Sequence, residues 1–230
     1  MCTACVVGVF APACQVITTF AGTGATTPVN SGVARLAANL NNPTTLMLDA
    51  CRGRLYIGEQ TGGRVVYVSL STGIVYPYAG TGVPGFSGDG GLATSAQLRG
   101  ANGMALGPDG SVYITEGWNP PSGLGGNNRV RRVYPNNTIV TFAGTGAASS
   151  TGDGGPPTAA TLNVPRDVAF TPSGDLLIVE RFGCRVRIVS AGVISAFAGT
   201  GVCGTGGDGG PATLARVDSP VSVAINSRGV

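Results

Sequence analysis

The chain has 230 residues, of which 43% are apolar and only 11% charged, with 39 Gly and 15 Pro. Charge-driven disorder needs low hydrophobicity and high net charge, and neither is present. All 14 basic residues are Arg and there is no His, so His-based acid–base chemistry, His metal sites and Lys Schiff bases are excluded. A net charge of +3 is too small to imply nucleic acid or an acidic membrane surface.

The N-terminal apolar run, Cys5–Cys14, contains Pro12 and is about half of a ~20-residue membrane span. No membrane segment is expected. Cys2 and Cys5 have C-x-x-C spacing, but a zinc site needs a second ligand pair, so no metal is expected and the six Cys are read as free or occasionally paired thiols. VVGVF (6–10) and QVITTF (15–20) read as the third and fourth strands of a partial unit.

A repeat then dominates the chain. Ala-Gly-Thr-Gly begins at Ala21, Ala79, Ala143 and Ala198, each time after an aromatic residue: Phe20, Tyr78, Phe142, Phe197. The separations are 58, 64 and 55 residues. Gly-Asp-Gly-Gly follows the last three copies, around Asp89, Asp153 and Asp208, and an Ala-rich stretch comes next. The first copy has Asn30-Ser31-Gly32 instead.

Each repeat predicts four short strands rich in β-branched and aromatic residues: 45–49, 54–58, 64–69 and 74–79, then 103–107, 111–115, 129–134 and 138–143, then 167–171, 175–179, 185–189 and 193–198. Turns such as Gly107-Pro108-Asp109-Gly110 join the first and second strands as tight hairpins. SPVSVAIN (219–226) reads as one more first strand. A lone four-stranded sheet leaves two faces and two edges unprotected, and radial stacking covers them. The expected fold is all-β: a partial β-propeller occupying 1–230, with blades at 45–79, 103–143 and 167–198 and partial blades at 6–20 and 219–230. The repeated aromatics are expected to pack between blades.

The run of ITTFAGTG, GDGGPAT, a strand, a turn and NRVRRV resembles the NHL repeat, most closely the teneurin-type subgroup. The resemblance implies a six-bladed ring that serves mainly as a binding platform. At about 59 residues per repeat, six blades need about 350 residues, so the chain is expected to be a fragment with exposed faces at both ends, the alternative being a four-bladed ring in which the N-terminal strands complete the last blade. The resemblance also includes propeller enzymes, lyase-like with His-bound zinc or lactonase-like with acids around a central ion. The first site needs His, and the second needs acids that blades outside this chain would have to supply.

Candidate residues divide by repetition. Glu59, Glu116 and Glu180 end second strands; Arg64, Arg129 and Arg185 begin third strands. They are expected to form cross-strand pairs rather than a ring of metal-binding carboxylates. Asp89, Asp153 and Asp208 are expected to bond local backbone N–H groups, with ion binding as the alternative. Arg131, Arg132 and Arg187 are placed along strands, apart from the long loops, and without interleaved aromatics they do not suggest RNA binding. The loops after second and fourth strands share one rim, which carries the long loops 25–44, 83–102 and 147–166 and the insertion 117–127. Trp118, the single Trp, and Asn119 lie in that insertion, and the expected ligand on this rim is a protein or peptide. No catalytic residue and no cofactor is expected. The Cys content and the sequon Asn136-Asn137-Thr138 favour an extracellular or cell-surface setting.

Overall fold

The computed structural model describes residues 18–26, 32–117 and 126–226. Trp118, Asn119 and most of the partial unit at 6–20 lie outside these. The described residues form β1 (Val33–Ala34) and three antiparallel sheets. Sheet one contains β2 (Pro43–Asp49), β3 (Arg54–Glu59), β4 (Arg64–Ser69) and β5 (Ile74–Ala79). Sheet two contains β6 (Ala101–Leu106), β7 (Val112–Glu116), β8 (Arg129–Val133) and β9 (Ile139–Ala143). Sheet three contains β10 (Pro165–Phe170), β11 (Leu176–Glu180), β12 (Arg185–Ser190) and β13 (Val193–Ala198). Short 3-10 turns are the only helical structure described, so no described helix is long and apolar enough to cross a membrane.

The core lies between the sheets. Val112 and Ile114 of β7 face sheet one, while the intervening Tyr113 faces sheet three. This is the period of two that a strand imposes, with both faces apolar because both are covered. The inner strands β2, β6 and β10 contact in succession, so the sheets fan about a common axis as blades of a partial β-propeller. Gly103 permits this approach: a Cβ there would lie 2.6 Å from the Arg166 carbonyl oxygen.

The repeated aromatics follow the covering. Tyr78 is buried against Tyr56, with ring centroids 4.7 Å apart, and Phe142 packs on Tyr113 at 4.9 Å. Phe197 is 46% exposed, because the outward face of sheet three has no neighbour among the described residues. On the opposite end, Leu46 and Leu48 of sheet one are exposed.

The segment 219–226 forms no ladder, because no second strand is present among the described residues to exchange hydrogen bonds with it. The long loops do more than line the rim. Each crosses to the next blade and lies along its outer strand. Gly90 N donates to Ile139 O at 2.8 Å, and Ile139 N donates back to Gly91 O at 3.0 Å. Gly154 and Gly155 repeat this exchange with Ile194, and β1 pairs with β5 in the same role. The loops thereby cover the edge that a blade would otherwise leave unpaired.

The Ala-Gly-Thr-Gly repeat owes its recurrence to the 3-10 turn further along each loop. In all four copies the Gly and Thr amides donate to that turn, as in Gly80 N to Ala93 O and Thr81 N to Ala96 O. The first copy keeps these bonds through Arg35 O and Ala38 O. Gly144 has φ 92°, and a Cβ on it would lie 2.3 Å from the Asn128 carbonyl oxygen. Gly144→Ala is therefore expected to lower stability by at least about 2 kcal/mol, measured by urea denaturation.

Candidate functional site

The strand registers place Glu59 opposite Arg64, Glu116 opposite Arg129 and Glu180 opposite Arg185. The side chains obey this only in blade one, where Arg64 Nε donates to Glu59 Oε2 at 2.9 Å. In blades two and three the Glu takes a different Arg. Arg131 Nη1 reaches Glu116 Oε2 at 3.4 Å, and Arg187 Nη1 reaches Glu180 Oε1 at 3.3 Å. All four groups have no exposed surface. The reason lies two residues beyond the expected Arg: blade one has Val66 there, whereas blades two and three have Arg131 and Arg187. Arg185 turns to Asp153, and Arg129 bonds the Asn127 carbonyl and stacks on Phe86.

Arg131 and Arg187 are thus part of the loop architecture, contrary to their expected separation from the loops. Arg131 Nη2 donates to Asp89 Oδ1 at 2.6 Å and to Ser87 O at 3.1 Å, while Nη1 meets Gln97 O. Arg187 pairs with Asp153 at 2.7 Å and bonds Thr151 O and Thr161 O. Each guanidinium pins both arms of the incoming loop to the next blade. Asp89 and Asp153 are therefore interblade clamps rather than local caps; Asp89 Oδ2 also accepts from Thr141. Asp208 has no hydrogen bond or ion pair among the described residues and is exposed. Burial pushes the Glu116 carboxyl up to about 7, against the opposing pull of Arg131, and burial also raises Glu180.

The clamps recur, so they serve the scaffold. Residues that differ between blades at one structural position are better candidates for recognition. The inner strands supply such a position. Asn42, Gly100, Val164 and Ser219 all have φ between 46° and 74°, and each precedes an inner strand or its unpaired counterpart at 220–226. For a β-branched residue such as Val164 this conformation is strained. A bulge follows in β2, β6 and β10. It brings Thr44, Asn102, Arg166 and Val221 to an axial cavity of about 160 Å³, together with Thr45, Asp167 and Ser222.

The cavity is electrostatically uneven. Asn102 is 7% exposed; its Oδ1 accepts from Gln60 Nε2 at 2.6 Å and Arg166 Nη1 at 3.2 Å, but its Nδ2 has no partner among the described residues. Arg166 and nearby Arg181 form no ion pair among the described residues, and Arg181 Nε is buried without a hydrogen-bond acceptor. Burial, and then the Arg181 charge, draw the Arg166 pKa below its ordinary value. Asp167 is engaged by Ser222 Oγ at 2.6 Å and Val223 N at 3.1 Å. Thr44, Asn102 and Arg166 escape a sequence reading because they sit on no motif. The signal that reveals them as the variable position is an alignment of the residues just after Asn42, Gly100, Val164 and Ser219.

Among the described residues, Cys184, Cys203 and Asp218 are the group with three metal-capable side chains, and its two Cys form a disulfide. One pair among the expected free or occasionally paired thiols is thus identified. Cys51 is exposed.

No protein-family model and no curated protein matches the sequence. Solved structures similar to the chain include virginiamycin B lyase from Staphylococcus aureus, at 17% identity and TM-score 0.42, over 68% of this chain and 41% of that one. A putative 6-phosphogluconolactonase from Bacteroides fragilis matches at 17% identity and TM-score 0.45, over 78% of this chain and 40% of that one. A streptogramin B lyase gives 13% identity and TM-score 0.43, over 71% and 42%. The chain spans less than half the length of these structures, and the similarity is one of fold.

Arg131→Val alone removes the charge partner of the buried Glu116, which among the described residues keeps only its bonds from Arg99 N and Asn127 Nδ2, and is expected to cost about 3–5 kcal/mol in urea denaturation. Adding Asp89→Asn reproduces the blade-one arrangement, leaves Arg129 to take Glu116, and should recover more than half of that loss. The raised Glu116 pKa means that the folded chain holds this proton to higher pH than the unfolded chain does. Its contribution to stability is full below about 4.5 and is lost as pH rises through about 7. The melting-temperature difference, wild type minus Glu116→Gln, should therefore be more positive at pH 5 than at pH 8.

Proposed function

We propose that this chain is a non-catalytic binding arc of an NHL-type β-propeller, which recognises an acidic group of a protein or peptide at the axial mouth of the long-loop rim. The observation that carries this reading is the bulge position. Four geometrically equivalent sites hold Thr44, Asn102, Arg166 and Val221, while the residues around them repeat. Arg166 and Arg181 offer positive charge without an ion pair among the described residues, and the Asn102 amide offers a buried donor without an acceptor. A carboxylate answers both needs, since charge-assisted bonds to Arg are strong when partly desolvated. Asp167 is the one carboxylate among the described residues lining the cavity, and Ser222 and Val223 already occupy it. That favours recognition over the several acids a lactonase-like centre would require.

The resemblance to NHL repeats points the same way, as does the single Trp, Trp118, in the insertion expected on this rim. The propeller-enzyme reading has Asp167 and Asn102 at the axial cavity, and its further acids would have to come from outside the described residues.

The test is selection of a phage-displayed peptide library on the whole chain, with selected peptides titrated by fluorescence anisotropy. Peptides enriched in Asp, Glu or a free C-terminus are expected. Their affinity should fall at least about tenfold on Arg166→Ala and fall on Trp118→Ala, with melting temperature almost unchanged. Peptides that bind Arg166→Ala as tightly as wild type would remove the axial mouth from the binding surface.

A further inference from the structure

The three Gly-Asp-Gly-Gly loops are alike in sequence and unlike in occupancy. Asp89 and Asp153 each hold the buried Arg of the blade that follows. Asp208 holds nothing among the described residues. The first loop provides the converse: Asn30-Ser31-Gly32 replaces the acidic motif, and the following blade has Val66 in place of the Arg. Acid and base are thus present together or absent together at the three junctions where both sides can be read.

The surface around Asp208 is unfinished in the same sense. Ala93, Ala96 and Leu98 of one loop are wholly buried, as are Ala160 and Leu162 of the next. Their counterparts in the third loop are not: Ala212 is exposed, and Ala215 and Val217 are half-buried. Phe197 is 46% exposed where its counterpart Tyr78 is 7% exposed. The segment 219–226 lies at the inner-strand position, tied to Asp167 through Ser222 and Val223, with no described strand paired to it.

We infer that the outward face of blade three, with Asp208 at its edge, is a docking surface for a further blade of this repeat type whose third strand carries a buried Arg. The guanidinium enters between the arms of loop 199–218 and pairs with Asp208, as Arg187 does with Asp153. The rest of the incoming sheet covers Phe197 and Val217 and pairs with 219–226. A second copy of this chain is a poor occupant through its own first blade, because Val66 would leave Asp208 desolvated and unpaired, which is costly.

The inference is tested by extending the chain after Val230 with a copy of residues 176–198, in which the counterpart of Cys184 is replaced by the Asn of blade two. Four proteins are compared: Asp208 or Asp208→Asn, each with the Arg187 counterpart kept or changed Arg→Val. With Asp208 present, the Arg copy should melt higher than the Val copy by roughly 5 °C or more and have the larger monomer fraction by light scattering. With Asp208→Asn the difference should vanish. Equal melting of the two copies beside Asp208, or a difference that survives Asp208→Asn, overturns the proposal. Should the extensions not fold, the same four comparisons are made with residues 112–143 appended in place of 176–198, Arg131 standing for Arg187; equal melting of the Arg and Val copies there overturns the proposal. Dimerisation of the unextended chain that Asp208→Asn leaves intact would assign the face to a second copy and also overturn it.

Discussion

Apolar side chains on both faces of every sheet are the constraint that shapes the remaining architecture. Strand β7 shows it in three residues, with Val112 and Ile114 turned one way and Tyr113 the other. Neither set has cover within its own sheet. Neighbouring blades provide that cover, and a radial arrangement lets each blade both give and receive it. The outer edges are a second liability, met by loops that pass to the next blade and hydrogen-bond to β5, β9 and β13. A Gly-Thr-Gly recurs because the chain must turn past the β-hairpin carbonyl of its own blade before it can make that crossing.

Apolar packing favours contact between blades but fixes their alignment weakly. The buried ions add direction. Arg131 satisfies Glu116 in its own sheet, Asp89 in the loop and two loop carbonyls, and only one relative position of sheet and loop permits all of these. Such clusters contribute less to stability than their number of bonds suggests, since desolvation offsets the attraction. Blade one dispenses with the cluster and still forms the same sheet, so the clamp acts as a device of register rather than a requirement of the fold.

Much of the architecture could be read from residue patterns because strand periodicity and the spaced Gly motifs are local signals. β5 and β13 lie where alternation and flanking Gly place them, and the Thr171–Gly174 turn closes as its composition implies. The clamps could not be read this way. The pairing of Arg131 with Asp89 joins residues 42 apart, and adjacent sequence offers the nearer Arg129 as a more obvious partner for Glu116. The axial position was hidden for a different reason. Thr44, Asn102, Arg166 and Val221 share a place in space and no chemistry, so no motif connects them until the left-handed residues before them are aligned. The disulfide likewise depends on two residues with no counterpart in the other blades: Cys184 stands where blade two has Asn128, and Cys203 where blade one has Pro84.

That disulfide gives the arc an unequal response to mechanical load. Cys184 and Cys203 enclose the whole of β12 and β13, at a sequence separation of 19. Tension applied along the backbone would pass through the sulfur atoms and bypass both strands, withholding roughly 65 Å of contour from extension. Blades one and two have no such bypass among the described residues. In an oxidised chain they would lengthen fully under pulling, while the third could release only its inner half.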